Sequence, residues 1–451
     1  MTDYQIPVSG SVSSVPISAA LADVLFAGQL GTTHDRWRSL FSSAPFRFQE
    51  GLTHWGRICL SYDRLRIVNR AVEDPQVLAA DPVELTAIHE WAGPVDPGMA
   101  TVLSIHYNLF FGSLSDHEAA GRDLGEYVRA ERIGTFLCTE VAHGNDAAQM
   151  ETTATYDPAA REFALNTPHP EAAKFMPNTG PAGGAKGAVV AARLLVEGTD
   201  HGVFLFLVPL SDGDGSPLPG IGVRPLPQTT SSPVDHCATT FDNVRLPFDA
   251  LLQGDHGRLT PDGEFTSALG SSRRRFLESI GRVTMGKLCM TAHGLGVMRH
   301  ALDVAMRYAH TRQTTGMTKG QRVPLIAHRG HHTPLLDAVA TTYAATLLQR
   351  SVVRQWDRAS GEERETYERL TAITKAWITW RSRAVLSECR ERCGAQGLIQ
   401  ANGIALQLAS IEGTITAEGD NTVIMQKAGA RCCSAVSTSS PRARSRPRTG
   451  S

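Results

Sequence analysis

An α+β multidomain fold, ordered as helices, then strands, then helices, is what this sequence predicts, on three observations. Apolar residues recur at helical spacing up to about residue 135. Short apolar runs bounded by Gly, Pro, Asp and Asn fill 136–265. The helical period then returns after Phe265 and holds to about 430. This order lacks the βαβ alternation of a doubly wound sheet, and no G-x-G-x-x-G follows a strand, which argues against a dinucleotide fold. With 451 residues, 42% of them hydrophobic, the chain suits two or three cores.

Residues 1–135 read as an N-terminal helical domain, with helical spacing in Ala19 to Leu25 and in Tyr62 to Val68. Residues 136–265 read as a central β domain. Its strand candidates are Phe163 to Asn166, Gly187 to Val196, Val203 to Leu210 and Ala238 to Leu246. Val203 to Val208 is apolar without alternation, as in a strand covered on both faces. Residues 266–430 read as a C-terminal helical bundle, in which Leu336, Val339, Ala340, Tyr343 and Leu347 share one stripe. Tyr367 to Arg392 runs many turns without Pro or Gly. The closing 431–451 segment, rich in Ser and Arg without an apolar period, reads as a disordered tail, and its abrupt start would suit a reading-frame change or truncation.

Composition narrows the function. Lys+Arg 44 against Asp+Glu 45 leaves a formal charge of −1, so no basic field recruits nucleic acid or an anionic membrane. No apolar run approaches the roughly 20 residues that span a bilayer, and the opening residues lack a signal pattern, so a cytoplasmic location is the default expectation. The 8 cysteines contain no C-x-x-C pair and read as reduced thiols. His328, His331 and His332 cluster without a carboxylate or cysteine at ligand spacing, so no metal site is expected.

The candidate chemistry centres on Glu418 in Thr-Ala-Glu-Gly-Asp-Asn-Thr-Val (416–423), downstream of Cys393-Gly394-Ala395-Gln396-Gly397. A lone carboxylate in a mostly apolar neighbourhood, with a Gly-rich turn able to hold a phosphate, suits a base for a carbon acid.

Further motifs stand in order along the chain. They include Thr139-Glu140-Val141-Ala142-His143-Gly144-Asn145-Asp146, Glu151 to Pro158, Phe163 to Pro168, Lys174, Pro217 to Ile221, Phe241-Asp242-Asn243-Val244-Arg245-Leu246-Pro247, Tyr308 to Arg312, and the two already named. Over roughly 100–430 the chain resembles the acyl-CoA oxidase branch of the acyl-CoA dehydrogenase family. The resemblance implies an N-terminal helical domain, a central β-barrel-like domain and a C-terminal four-helix bundle, with the second C-terminal oxidase domain absent.

It also implies FAD, an acyl-CoA substrate and a homodimer or homotetramer. Glu418 would be the base, with Glu412, in a Glu-Gly-Thr like that of the dehydrogenase branch, as its rival. Thr139 would bond the isoalloxazine edge, and Asn178 stands where the family places a glycine against FAD. Gly394 and Gly397 would approach the FAD diphosphate of a neighbouring subunit, with Arg312 pairing a phosphate. The implied activity is oxidation of acyl-CoA to trans-2-enoyl-CoA with oxygen as acceptor. A dehydrogenase for acyl-CoA or an acyl carrier protein, passing electrons to an electron-transfer flavoprotein, and a catalytically silent subunit are the alternatives.

Overall fold

The computed structural model describes residues 17–117, 122–358 and 362–439 of the protein. Before the first strand come helices α1 (Ile17–Leu25), α2 (Asp35–Phe41), α3 (His54–Asn69), α4 (Pro75–Ala80), α5 (Pro82–Ala92), α6 (Pro97–Leu103), α7 (Gly112–Asp116) and α8 (Gly125–Val128). Several of their starts are written locally. Asp74, Asp81 and Asp96 each accept first-turn N–H groups, and each precedes a proline, whose missing donor costs nothing there.

The middle of the chain forms strands β1 (Ile133–Leu137), β2 (Thr153–Asp157), β3 (Glu162–Asn166), β4 (Lys174–Phe175), β5 (Lys186–Val196), β6 (Thr199–Pro209), β7 (Ile221–Pro225), β8 (Cys237–Phe241), β9 (Val244–Pro247) and β10 (Leu251–Leu252). One sheet runs β10-β6-β5-β2-β3-β9 with β1 parallel to β5, and a second runs β4-β8-β7. Among the described residues β9 and β10 each pair on one side only, so the barrel-like domain that the resemblance implied is a sheet not closed by hydrogen bonds. The candidate run Ala238 to Leu246 is two strands, because the chain reverses at Asp242-Asn243, with Asn243 at φ 48.

β5 and β6 explain why the sheet's position is so well specified. Val189, Ala191, Val203 and Leu205 point into a core shared with the N-terminal helices and the start of the bundle. Ala188, Val190, Ala192, Phe204, Phe206 and Val208 point into a second core within the β part. Each strand is apolar on both faces because each face has its own partner.

Helices α9 (Ser272–Ser279), α10 (Arg282–Thr311), α11 (Arg329–Arg358), α12 (Glu362–Arg392), α13 (Ile404–Thr416) and α14 (Asn421–Ser439) follow. α10 is central, packing on α5, α11 and α12. Two expectations change here. On α11 the buried face carries Leu335, Ala338, Thr342, Ala345, Thr346 and Gln349, while Leu336, Tyr343 and Leu347 face outward. Small Ala and Thr side chains let α11 lie close to α10, and a periodic stripe alone does not say which face meets the core. The expected tail also begins late: α14 continues through Ser439, because no proline or glycine interrupts 431–439. Residues 440–451 lie outside the described residues.

Candidate active site

Glu418 sits in the turn between α13 and α14. The turn needs two successive left-handed residues, Glu418 at φ 59 and Gly419 at φ 97, and a glutamate pays a steric cost there that glycine does not. Asp420 then caps α14, its Oδ1 accepting the Thr422 N–H at 2.9 Å and the Val423 N–H at 3.4 Å. The motif Glu-Gly-Asp-Asn-Thr is thus a reversal followed by a helix start.

The Glu418 carboxyl lies against α10 at a place only glycine leaves open. A Cβ on Gly286 would stand 2.3 Å from Glu418 Oε1. Burial pushes the Glu418 pKa up to about 7 from 4.5, against the opposing pull of Lys287, Lys375 and Arg282. The residue as a whole is half-buried, while its carboxyl is enclosed. A carboxylate poised near neutrality is a competent general base.

The loop after β1 comes to the same place. Asp420 N–H donates to Asn145 Oδ1 at 3.4 Å, and Glu418 is among the charges acting on Cys138, whose thiol burial pushes up to about 11. Thr139, next to Cys138, is exposed, and its hydroxyl makes no hydrogen bond to protein among the described residues. Its carbonyl accepts the Phe175 N–H at 2.9 Å. Phe175, Met176 and Val141 are all exposed beside it, an apolar surface with one free hydroxyl.

A buried ion pair holds that surface. Glu140 accepts from Lys174 Nζ at 2.9 Å, from the Thr152 N–H at 2.9 Å and hydroxyl at 2.6 Å, and from the Glu151 N–H at 2.7 Å. Fully bonded in this way, the pair offsets its own desolvation and fixes the residues on either side of it.

The other expected residues lie elsewhere. Asn178 is fully buried and engaged inside the protein: its amide accepts from Thr135 and donates to the Tyr62 hydroxyl, and its carbonyl accepts from Lys186 Nζ at 3.0 Å. It has no positive φ, so the Cβ is no obstacle to close approach of its backbone, and its side chain serves a buried network with Lys186, Tyr62 and Asp235.

Arg312 is exposed at the C-terminus of α10, roughly 39 Å along that helix from Gly286 at about 1.5 Å per residue. Gly394, exposed at φ 55, and Gly397 follow the C-terminus of α12. Gly397 has a reason within its own chain, since a Cβ there would meet the Arg390 carbonyl at 2.5 Å. Glu412 is half exposed and pairs with Arg383 at 3.2 Å, away from the Gly286 notch. A cavity of about 470 Å³ beside β7 and β9 contains none of the expected site residues.

Sequence reasoning missed Gly286 and Lys375. Each left a faint signal: a glycine inside a long helical period, and a lysine inside the apolar run Ala372 to Ile378.

Known proteins resemble the part of the chain that carries this geometry. A family model described as "Acyl-CoA oxidase, C-alpha1 domain" matches residues 281–432, the segment that carries both Gly286 and Glu418. The chain is similar to acyl-CoA oxidases. It is 30% identical over 348 residues to "Putative acyl-coenzyme A oxidase 3.2, peroxisomal" of Arabidopsis thaliana, covering 75% of this chain and 51% of that protein. It is 30% identical over 377 residues to human "Peroxisomal acyl-coenzyme A oxidase 3", covering 79% and 53%.

The chain therefore spans about half the length of the curated acyl-CoA oxidases it matches. Its fold is that of solved acyl-CoA oxidases. Acyl-CoA oxidase 3 of Yarrowia lipolytica superposes with a TM-score of 0.80 at 24% identity, over 94% of this chain and 64% of that one. Acyl-CoA oxidase-1 of Caenorhabditis elegans, solved with FAD and ATP, gives 0.77 at 24%, over 95% and 67%. Among the described residues no helix is long and apolar enough to cross a membrane.

Proposed function

We propose that this chain is a flavin-dependent acyl-CoA oxidase in which Glu418 removes the α-proton of an acyl thioester. The observation that carries the proposal is the Glu418 carboxyl seated in the Gly286 notch, with its pKa raised by burial to about 7. The thioester carbonyl acidifies the α-carbon. The carboxylate takes the α-proton while the β-hydrogen leaves with its electron pair, and the product is a trans-2-enoyl thioester. FAD, when bound, accepts that hydride and passes the electrons to oxygen.

The residues present fit such a group. Thr139 offers an unpaired hydroxyl within the apolar surface of Val141, Phe175 and Met176, which suits the edge and face of a planar ring. Arg312, Gly394 and Gly397 stand far from Glu418 in one chain, so their assignment to the FAD diphosphate belongs to a second copy. The outward Leu336, Tyr343 and Leu347 on α11 support such a homodimer or homotetramer. The three-part layout 1–135, 136–265 and 266–430, and a cytoplasmic location, belong to the same proposal.

The test is anaerobic titration of the FAD-reconstituted chain with acyl-CoA. Bleaching that recovers in air with formation of peroxide is expected. A protein that takes up no FAD would sink the proposal, and bleaching that persists in air would point to a dehydrogenase. Glu418→Gln should keep FAD and lose bleaching, whereas undiminished bleaching would move the base elsewhere.

A further inference from the structure

We infer that Lys375 is a positioning residue that locks the turn carrying Glu418 and so holds the carboxylate in the Gly286 notch. The inference rests on the reading of Glu418 as the base. Lys375 lies on α12, is fully buried, and spends its ammonium on a single target. Its Nζ donates to the Ile415 carbonyl, the Gly419 carbonyl and Asn421 Oδ1, each at 2.8 Å. An ammonium has three donors, and all three close on the α13–α14 turn, on both sides of Glu418.

The need for such a lock follows from the turn. Ile415 belongs to the last turn of α13, whose carbonyls lack helical partners. Glu418 and Gly419 hold consecutive left-handed conformations, which persist only where the surroundings enforce them. Asn421 completes the clamp: while its Oδ1 accepts from Lys375, its Nδ2 donates to Thr379 Oγ1 at 2.9 Å and to the Ala376 carbonyl at 3.3 Å. The start of α14 is thereby tied to α12 by three hydrogen bonds. A buried, unpaired lysine would be costly; one with three acceptors is retained where a geometry must be kept.

Lys375 also belongs to the set of titratable groups that faces Glu418. That set comprises Lys287, Arg282 and Cys289 on α10, Lys375 on α12 and Cys138 after β1, while Asp420 within the turn acts on Lys375. Removing the ammonium would remove one of the cations that favour the ionised carboxylate. The pH at which the base becomes competent should therefore move upward.

The decisive variant is Lys375→Met, which keeps the length of the stem without the donors. In the full-length, FAD-reconstituted protein we expect FAD uptake and the affinity for acyl-CoA to stay within about threefold of wild type. The limiting rate of anaerobic bleaching should fall by roughly tenfold or more, the scale of a sub-ångström misplacement. Its pH midpoint should rise.

Hydrogen exchange of residues 416–422, measured without substrate, should quicken while the α10 core keeps its protection. Unchanged exchange with bleaching within about twofold of wild type would overturn the inference. If Lys375→Met does not fold, Asn421→Ala decides the matter, since it removes one acceptor of Lys375 and both donor bonds of Asn421 to α12. Faster exchange of the turn supports the lock, and wild-type exchange refutes it. Glu418→Gln in parallel separates the two claims: if it still bleaches, the assignment of the base fails, while the exchange data continue to judge Lys375.

Discussion

Gly286→Ala should separate catalysis from folding. The added Cβ would stand 2.3 Å from Glu418 Oε1, 2.4 Å from its Cδ and 2.9 Å from its Cγ. An ordinary carbon–oxygen contact needs about 3.4 Å, so the carboxyl must retreat by about 1 Å. The far end of a glutamate can move that much at small cost, and alanine is about 1 kcal/mol better than glycine inside a helix. The fold should therefore keep its stability or gain slightly. A displacement of 1 Å at a proton-transferring group costs on the order of 100-fold in rate. Stopped-flow bleaching of the FAD-loaded variant by acyl-CoA measures the rate, and thermal unfolding measures the fold. Bleaching within about threefold of wild type would refute the placement of Glu418 in this notch. A large drop in stability would show that Gly286 serves packing instead.

The bleaching rate of the wild type should rise through pH about 7 and level off above it, because only the ionised Glu418 can take the α-proton and burial holds its pKa there; a profile that is flat between pH 5 and 8 would count against the assignment. Stability should run the other way. The charged form of a carboxyl held at about 7 against an ordinary 4.5 is disfavoured by at most on the order of 3 kcal/mol, so this contribution is intact below 4.5 and is lost as pH rises through 7. Glu412→Gln should leave bleaching within about twofold, since that carboxylate is half exposed and paired with Arg383, and a loss beyond tenfold would reopen its candidacy. Lys186→Met would strip Asp235 of its buried cation and should cost roughly 3–5 kcal/mol, read as a lower denaturant midpoint; wild-type stability would show the network to be dispensable.

How much was legible in the chain follows from which interactions are local. Strand and helix identities in β5, β6, α1, α3 and α12 come from periodicity and length, and the Asp-Pro starts of α4, α5 and α6 from capping, so these could be read directly. Glu418 was legible too, because the Glu-Gly-Asp-Asn-Thr run is itself a turn plus a cap. Periodicity also found the apolar stripe on α11, yet it could not say that Leu336, Tyr343 and Leu347 face outward while Leu335 and Ala338 face α10.

Asn178 illustrates the same limit. Its place in the motif says nothing of its side chain, whose contacts with Tyr62, Thr135 and Lys186 join residues far apart in the chain.

The sequence by itself determined the order of helices and strands, the unexceptional charge and the proposed base on its turn. Those depend on spacing of a few residues, over which chain connectivity already dictates proximity. Only the tertiary structure decided what surrounds that base. Gly286 lies 132 residues before Glu418 and Lys375 lies 43 before it. Close approach of α10 and α12 alone turns a missing Cβ into a notch, and a buried ammonium into a clamp on the turn.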